Sequence, residues 1–135
     1  MDQRMKIAIT MGDPAGVGAE IIVKALSHVD VYKKCMPVVM GDRAALEDAL
    51  DFCGLPLGLH EIRNIDEAAG KFGEIDFIDF GLFAENGWEY KKNNAKCGEA
   101  SFKYIVDAIN LAMEKKVEAV ITAPINKKSL RMAGL

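Results

Sequence analysis

Two short stretches of this sequence carry residue types that can do chemistry. The first, TMGDPAGVGAE, sets Gly12, Gly16 and Gly18 around Asp13 and Pro14, just ahead of a helical pattern. The glycines permit positive φ and close backbone approach, Pro14 stiffens the turn, and the helix start offers free N–H groups. This is no standard nucleotide loop. It lacks the Lys-Ser/Thr pair of a P-loop, and Gly16-Val17-Gly18 does not complete G-x-G-x-x-G. Asp13 would repel an incoming phosphate and suits instead a ribose hydroxyl, a cation or a capping role, the last making this simply a tight strand-to-helix turn.

The second stretch, TAPINKKS, gathers the Thr122 hydroxyl, the Asn126 amide and the Lys127 ammonium just after a strand-like run. Lys127 can pair with a carboxylate or phosphate, and Asn126 can cap the next helix. The plainer alternative is a strand stopped by Pro124, an ordinary asparagine cap and solvated lysines. His28 and His60 have no partner at ligand spacing, so neither is read as a metal ligand.

Both stretches need a scaffold, and the pattern around them supplies one. MKIAIT (Met5–Thr10) is a short apolar run between charge and glycine, which predicts a buried strand. Ile21, Ile22, Ala25, Leu26 and Val29 then form the stripe of a helix over 18–29. MPVVMGD predicts a second strand, with Asp42 capping a helix that stops at Gly54. LPLGLHEI and IDFIDF read as further strands, and 81–97 reads as a long surface connection with Asn-Gly turn chemistry. A helix over 99–115 should turn Phe102, Ile105, Val106, Ile109, Ala112 and Met113 inward, with Lys115 and Lys116 at its negative end. Val117 to Thr122 closes the pattern as a strand. Alternating strands and helices predict an α/β fold, three-layered, with a mainly parallel sheet.

Composition narrows the function classes. A length of 135 residues, half of them hydrophobic, is enough for one core or one lobe of something larger. The net charge of -3 leaves no basic footprint for nucleic acid or an anionic membrane, and paired lysines such as Lys33 and Lys34 read as solvated. No run approaches the length of a membrane span. Cys35, Cys53 and Cys97 are odd in number and far apart, which fits reduced thiols and a cytoplasmic protein.

Taken together, MKIAITMGDPAGVGAEIIVKAL and GEASFKYIVDAINLAMEKKVEAVITAPINKKSLRMAGL closely resemble the 4-hydroxythreonine-4-phosphate dehydrogenase family of pyridoxal phosphate biosynthesis. The two motifs, G-D-P-A-G-[VI]-G and T-A-P-I-N-K followed by A-G, stand in the family's order. The resemblance implies a two-lobed fold related to isocitrate and isopropylmalate dehydrogenases, working as a homodimer with its active site between the lobes. It implies oxidation of 4-phosphooxy-L-threonine, or a related phosphorylated four-carbon hydroxy acid, by NAD or NADP with loss of carbon dioxide. A divalent metal (Zn, Mg or Co) would polarise the hydroxyl. Related members act on other hydroxylated acids and on dihydrodiols.

The resemblance also implies a much longer polypeptide. The G-H-T-E motif, the metal histidines and the phosphate-holding residues should follow Leu135, so residues 1–135 are expected to be the N-terminal part of the enzyme, inactive alone. Within them it assigns no catalytic base and no metal ligand. Gly12, Asp13, Pro14, Gly16 and Gly18 would form one wall of the substrate and cofactor cleft, and Thr122, Asn126 and Lys127 would lead into the substrate turn. The competing expectation is a naturally truncated, non-catalytic binding or dimerisation module. Against it stand the uncovered apolar edges that a cut at this point would leave.

Overall fold

The computed structural model describes residues 2–83, 92 and 94–135. Its first strand, β1 (Met5–Thr10), is the expected MKIAIT run, and a second strand, β2 (Cys35–Gly41), lies beside it in parallel with Met5 opposite Cys35. From its second residue onward β2 is buried, as an inner strand of a parallel sheet must be. Pro37 is tolerated there because pairing with the next strand starts only at Val39. β3 (Gly58–Glu61), β4 (Glu74–Asp79) and β5 (Ala119–Thr122) complete an all-parallel sheet in the order β3-β4-β2-β1-β5.

The helix expected over 18–29 is two helices, α1 (Gly18–Ala25) and α2 (Val29–Lys34). Ser27 breaks the run by donating its hydroxyl to the Lys24 carbonyl at 2.5 Å, and His28 then adopts an extended conformation. α3 (Arg43–Cys53) ends as expected on Gly54 in the left-handed region. Its start corrects the sequence reading, because the Asp42 carboxylate does not cap it. Asp79, at the end of β4, accepts the Arg43 N–H instead at 3.0 Å.

α4 (Ala95–Met113) starts earlier and ends sooner than its apolar pattern suggests. Asn94 caps it by accepting the Lys96 and Cys97 N–H groups, and Lys115, at φ 59°, closes it with a left-handed residue. Its orientation overturns the predicted face. Cys97, Gly98, Ala100, Ser101, Tyr104 and Ala108 point inward, while Phe102, Ile109 and Met113 are exposed. The larger residues had suggested the buried side, but small residues let the helix sit close to the sheet and to α5 (Lys127–Met132). At Gly98 a Cβ would come within 2.1 Å of the Ser129 carbonyl oxygen. The first part of the connection read over 81–97 lies mostly outside the described residues, and its last three residues belong to α4.

Two further buried groups were not anticipated. Asp76, in the strand read from IDFIDF, is 1% exposed. It bonds His60 Nδ1 at 2.7 Å and accepts the Ala69 and Gly70 N–H groups. Asp42 is fully buried and accepts the Tyr104 hydroxyl and the Leu82 N–H. The core around them holds Leu46, Phe77, Ile75 and Val38, none of them exposed. Each such side chain contributes about 1.5–3 kcal/mol by leaving water. Among the described residues no helix is long and apolar enough to cross a membrane.

Chain direction then decides where a ligand can sit. Right-handed crossovers put the connections β1 to β2 and β2 to β3 on one face, where α1 packs beside α3. The return step from β4 to β5 runs the opposite way and puts α4 on the other face. The strand order therefore switches between β1 and β5, and a crevice opens beyond their carboxyl ends.

Two outcomes follow from this packing. Gly98→Ala forces α5 away from α4 and should destabilise the protein by about 1–3 kcal/mol, read as a lowered Tm. Burial raises the Asp42 carboxyl above its ordinary value, so the folded protein holds that proton to higher pH than the unfolded chain. Its contribution is complete below about pH 4 and is lost as pH rises through the raised value. Asp42→Asn should therefore gain Tm relative to the parent as pH rises from about 4 to 7, whereas parallel curves would refute the assignment.

Candidate functional site

Both motif stretches converge on the β1–β5 crevice. Gly12 follows β1 with φ +76°, and a Cβ there would stand 2.3 Å from the Pro124 oxygen. The Asp13 N–H donates to that same oxygen at 3.2 Å, joining the turn after β1 to the turn after β5. Gly18 is held as tightly, since a Cβ would meet the Met11 oxygen at 2.0 Å. Two of the three glycines are thus required by backbone packing. Gly16 and Val17 face outward.

Asp13 has local partners. Its Oδ1 accepts the Ala15 N–H at 2.8 Å, and its carbonyl accepts the Gly16 N–H at 2.9 Å. This is an Asx turn and not a helix cap, because the residue capping α1 is Val17, which offers no side-chain acceptor. The first N–H groups of α1 are left without a side-chain partner. Asp13 is 3% exposed, and burial pushes its carboxyl up from the ordinary aspartate value. The Ala15 amide and the Ser129 hydroxyl oppose that shift, yet Oδ2 is left without a well-formed hydrogen bond.

Across the crevice, Asn126 caps α5, its Oδ1 accepting the Ser129 N–H at 2.9 Å. The capping reading of Asn126 is therefore the observed one. Thr122 and Lys127 are exposed at the end of β5 and the start of α5. A cavity of about 220 Å³ lies between the turns, lined by Asp13, Gly16, Val17, Ile125 and Asn126 among others, with Lys92 at its edge. Pro14 is buried beneath the turn. The cavity brings the buried Asp13 carboxyl and the exposed turn at Gly16 and Val17 up against Asn126 at the start of α5, while Thr122 and Lys127 lie outside its lining. Among the described residues no three His, Cys, Asp or Glu side chains gather as a metal site.

Sequence reasoning missed the residues beneath this surface. Ser129 and Cys97 are fully buried, and Asn94 joins them through its backbone N–H, which donates to Ser129 Oγ at 2.9 Å. The one readable signal was the Asn-x-x-Ser spacing from Asn126 to Ser129 that marks a helix start.

Comparison with known proteins matches this arrangement to a family. The family described as pyridoxal phosphate biosynthetic protein PdxA matches residues 33–135. The D-threonate 4-phosphate dehydrogenase of Cupriavidus necator is 44% identical over 95% of this chain and 38% of its own length. The crystal structure of a 4-hydroxythreonine-4-phosphate dehydrogenase from Burkholderia phymatum superposes with a TM-score of 0.94 at 41% identity, over 98% of this chain and 40% of that one. A terephthalate 1,2-cis-dihydrodiol dehydrogenase from Burkholderia xenovorans LB400 shares the fold with a TM-score of 0.75 at 25% identity, over 98% of this chain and 38% of that one. The chain thus spans about two fifths of the length of these relatives. With a match over 103 of 135 residues and a sheet that places both motifs at one crevice, the chain belongs to the PdxA family.

Proposed function

We propose that residues 1–135 are the N-terminal part of a two-lobed NAD(P)-dependent dehydrogenase that oxidises a phosphorylated four-carbon hydroxy acid, with decarboxylation, in pyridoxal phosphate biosynthesis. The observation that carries this reading is the meeting of both motif turns at the β1–β5 switch point, in a family whose relatives are named for two such acids. Those names, 4-hydroxythreonine 4-phosphate and D-threonate 4-phosphate, share a phosphate, a backbone of four carbons and secondary hydroxyls.

The division of labour follows from the groups at hand. Lys127 supplies an exposed positive charge for the substrate's phosphate or carboxylate, and Thr122 offers a hydroxyl to its polar edge. The exposed turn at Gly16 and Val17 and the uncapped start of α1 fit a nicotinamide dinucleotide, whose contribution when bound is to accept a hydride. Gly12 and Gly18 hold that wall by letting two backbones touch. Asp13 shapes the turn from below and, being buried, positions the amides around it.

The described residues gather no metal-ligand set, so any divalent ion would take its ligands from elsewhere in the enzyme. A homodimer in the cytoplasm completes the reading. Three free cysteines suit a reducing compartment.

Full-length protein given 4-phosphooxy-L-threonine or D-threonate 4-phosphate, a divalent metal and either nicotinamide should form reduced cofactor and release carbon dioxide. Failure with both acids and both cofactors would sink the proposal. Chelation should abolish turnover, with recovery on adding Zn, Mg or Co. Lys127→Met should lower kcat/KM by about 10- to 100-fold, the loss of one charge-assisted contact, while Tm stays put because Lys127 is exposed.

A further inference from the structure

The turn at Gly16 and Val17 has a hollow on each side. On the crevice side lies the cavity of about 220 Å³ that reaches Asp13 and Asn126. On the other side, where α1 packs beside α3, a second cavity of about 320 Å³ opens, and Ala15, Gly16 and Val17 line both. The two hollows differ in chemistry. The crevice cavity carries the buried Asp13 carboxyl and the Asn126 side chain in its wall, whereas the second is walled mainly by apolar side chains. Ala19 and Ala49, both buried, form its floor, and Phe52 of α3 stands at its rim.

Size and lining limit what the second cavity can take. At about 320 Å³ it lies at the lower end of small-molecule sites, roughly 300–1,000 Å³, which suits one ring system and not a whole dinucleotide. Phe52 is 78% exposed and Val17 50%, so two apolar side chains flank the opening with their surfaces in water. A flat heteroaromatic ring would cover both, and the small alanine side chains beneath leave it room. Glu20 is the one charged group in the lining. Its carboxylate is held by Lys24 at 2.9 Å and keeps acceptor capacity for an amino N–H. Two unlike hollows parted by a single turn match a ligand of two rings joined by a flexible linker.

We propose that the cavity between α1 and α3 is the adenine subsite of the dinucleotide, with Phe52 stacked on the base, while the nicotinamide end lies in the crevice cavity. The diphosphate between them crosses the Gly16–Val17 turn at the uncapped start of α1. The assignment rests on the nicotinamide-dinucleotide reading and adds to it which residues hold the far end of the cofactor.

The test uses the full-length protein and calorimetric titration with ADP-ribose, AMP and nicotinamide mononucleotide, so that binding is read without turnover. The parent should bind ADP-ribose and AMP. Phe52→Ala should weaken both about tenfold, the loss of one base–aromatic stack, and should leave nicotinamide mononucleotide binding unchanged. Its Tm should also stay put, because Phe52 is exposed. Phe52→Trp, which keeps a ring, should bind as the parent does. A parent that binds neither adenine nucleotide, an alanine variant that binds them as well as the parent, or a tryptophan variant as weak as alanine overturns the proposal. So does an equal loss for nicotinamide mononucleotide, which would trace the effect to the turn and not to the base. Turnover separates this subsite from the dehydrogenase reading. If the parent oxidises neither acid while AMP affinity still follows Phe52, the dehydrogenase reading fails and the adenine subsite stands. If turnover proceeds with a KM for the dinucleotide indifferent to Phe52, the subsite fails and the dehydrogenase reading stands.

Discussion

The site depends on one backbone contact, the Asp13 N–H held by the Pro124 carbonyl oxygen across the gap between β1 and β5. Two main chains can approach so closely only where a side chain is missing, and Gly12 provides that place at a positive φ. Everything on the ligand side follows from this contact. It brings the turn after the first strand to the turn after the last, although Asp13 and Pro124 stand 111 positions apart in the chain. It also leaves the exposed turn at Gly16 and Val17 on a wall whose spacing does not depend on flexible side chains.

The same rule of close approach governs the far face. α4 lies against the sheet with Ala100, Tyr104 and Ala108, and against α5 through Gly98. Its larger apolar residues, Phe102, Ile109 and Met113, stay in solvent together with Ile121 of the edge strand β5. A helix chooses its inward face by how much total surface it and its neighbours can bury, not by the size of the residues alone. Small residues allow more contact here than large ones would.

This explains what could be read from sequence and what could not. Strand-helix alternation, the glycine turn, the Asn126 cap and the stop at Gly54 each rest on local chemistry, and each was legible. The inward face of α4 was misjudged because periodicity reports an apolar stripe but not which of two stripes has a partner. The break between α1 and α2 depended on one Ser27 back-bond, a choice that helical spacing does not record. Asp42 looked like a cap because of its position before a helix. Its carboxylate was claimed by Tyr104 and Leu82, 62 and 40 residues further along, and no local pattern encodes such partners.

The carboxylates at the end of the strands have a common logic. Asp13 follows β1, Asp42 follows β2, and Asp79 ends β4, so all three stand at the carboxyl edge of the sheet. Each turns its oxygens to backbone N–H groups: Ala15 for Asp13, Leu82 for Asp42, Arg43 and Gly81 for Asp79. Turns that leave a parallel sheet must bend before the next helix can satisfy their N–H groups, and a short acidic side chain answers them on the spot. The arrangement costs stability where the carboxyl is buried, as the raised values of Asp13 and Asp42 record. In exchange the loops at the crevice gain fixed backbone geometry, which is what a site made largely of main-chain donors requires.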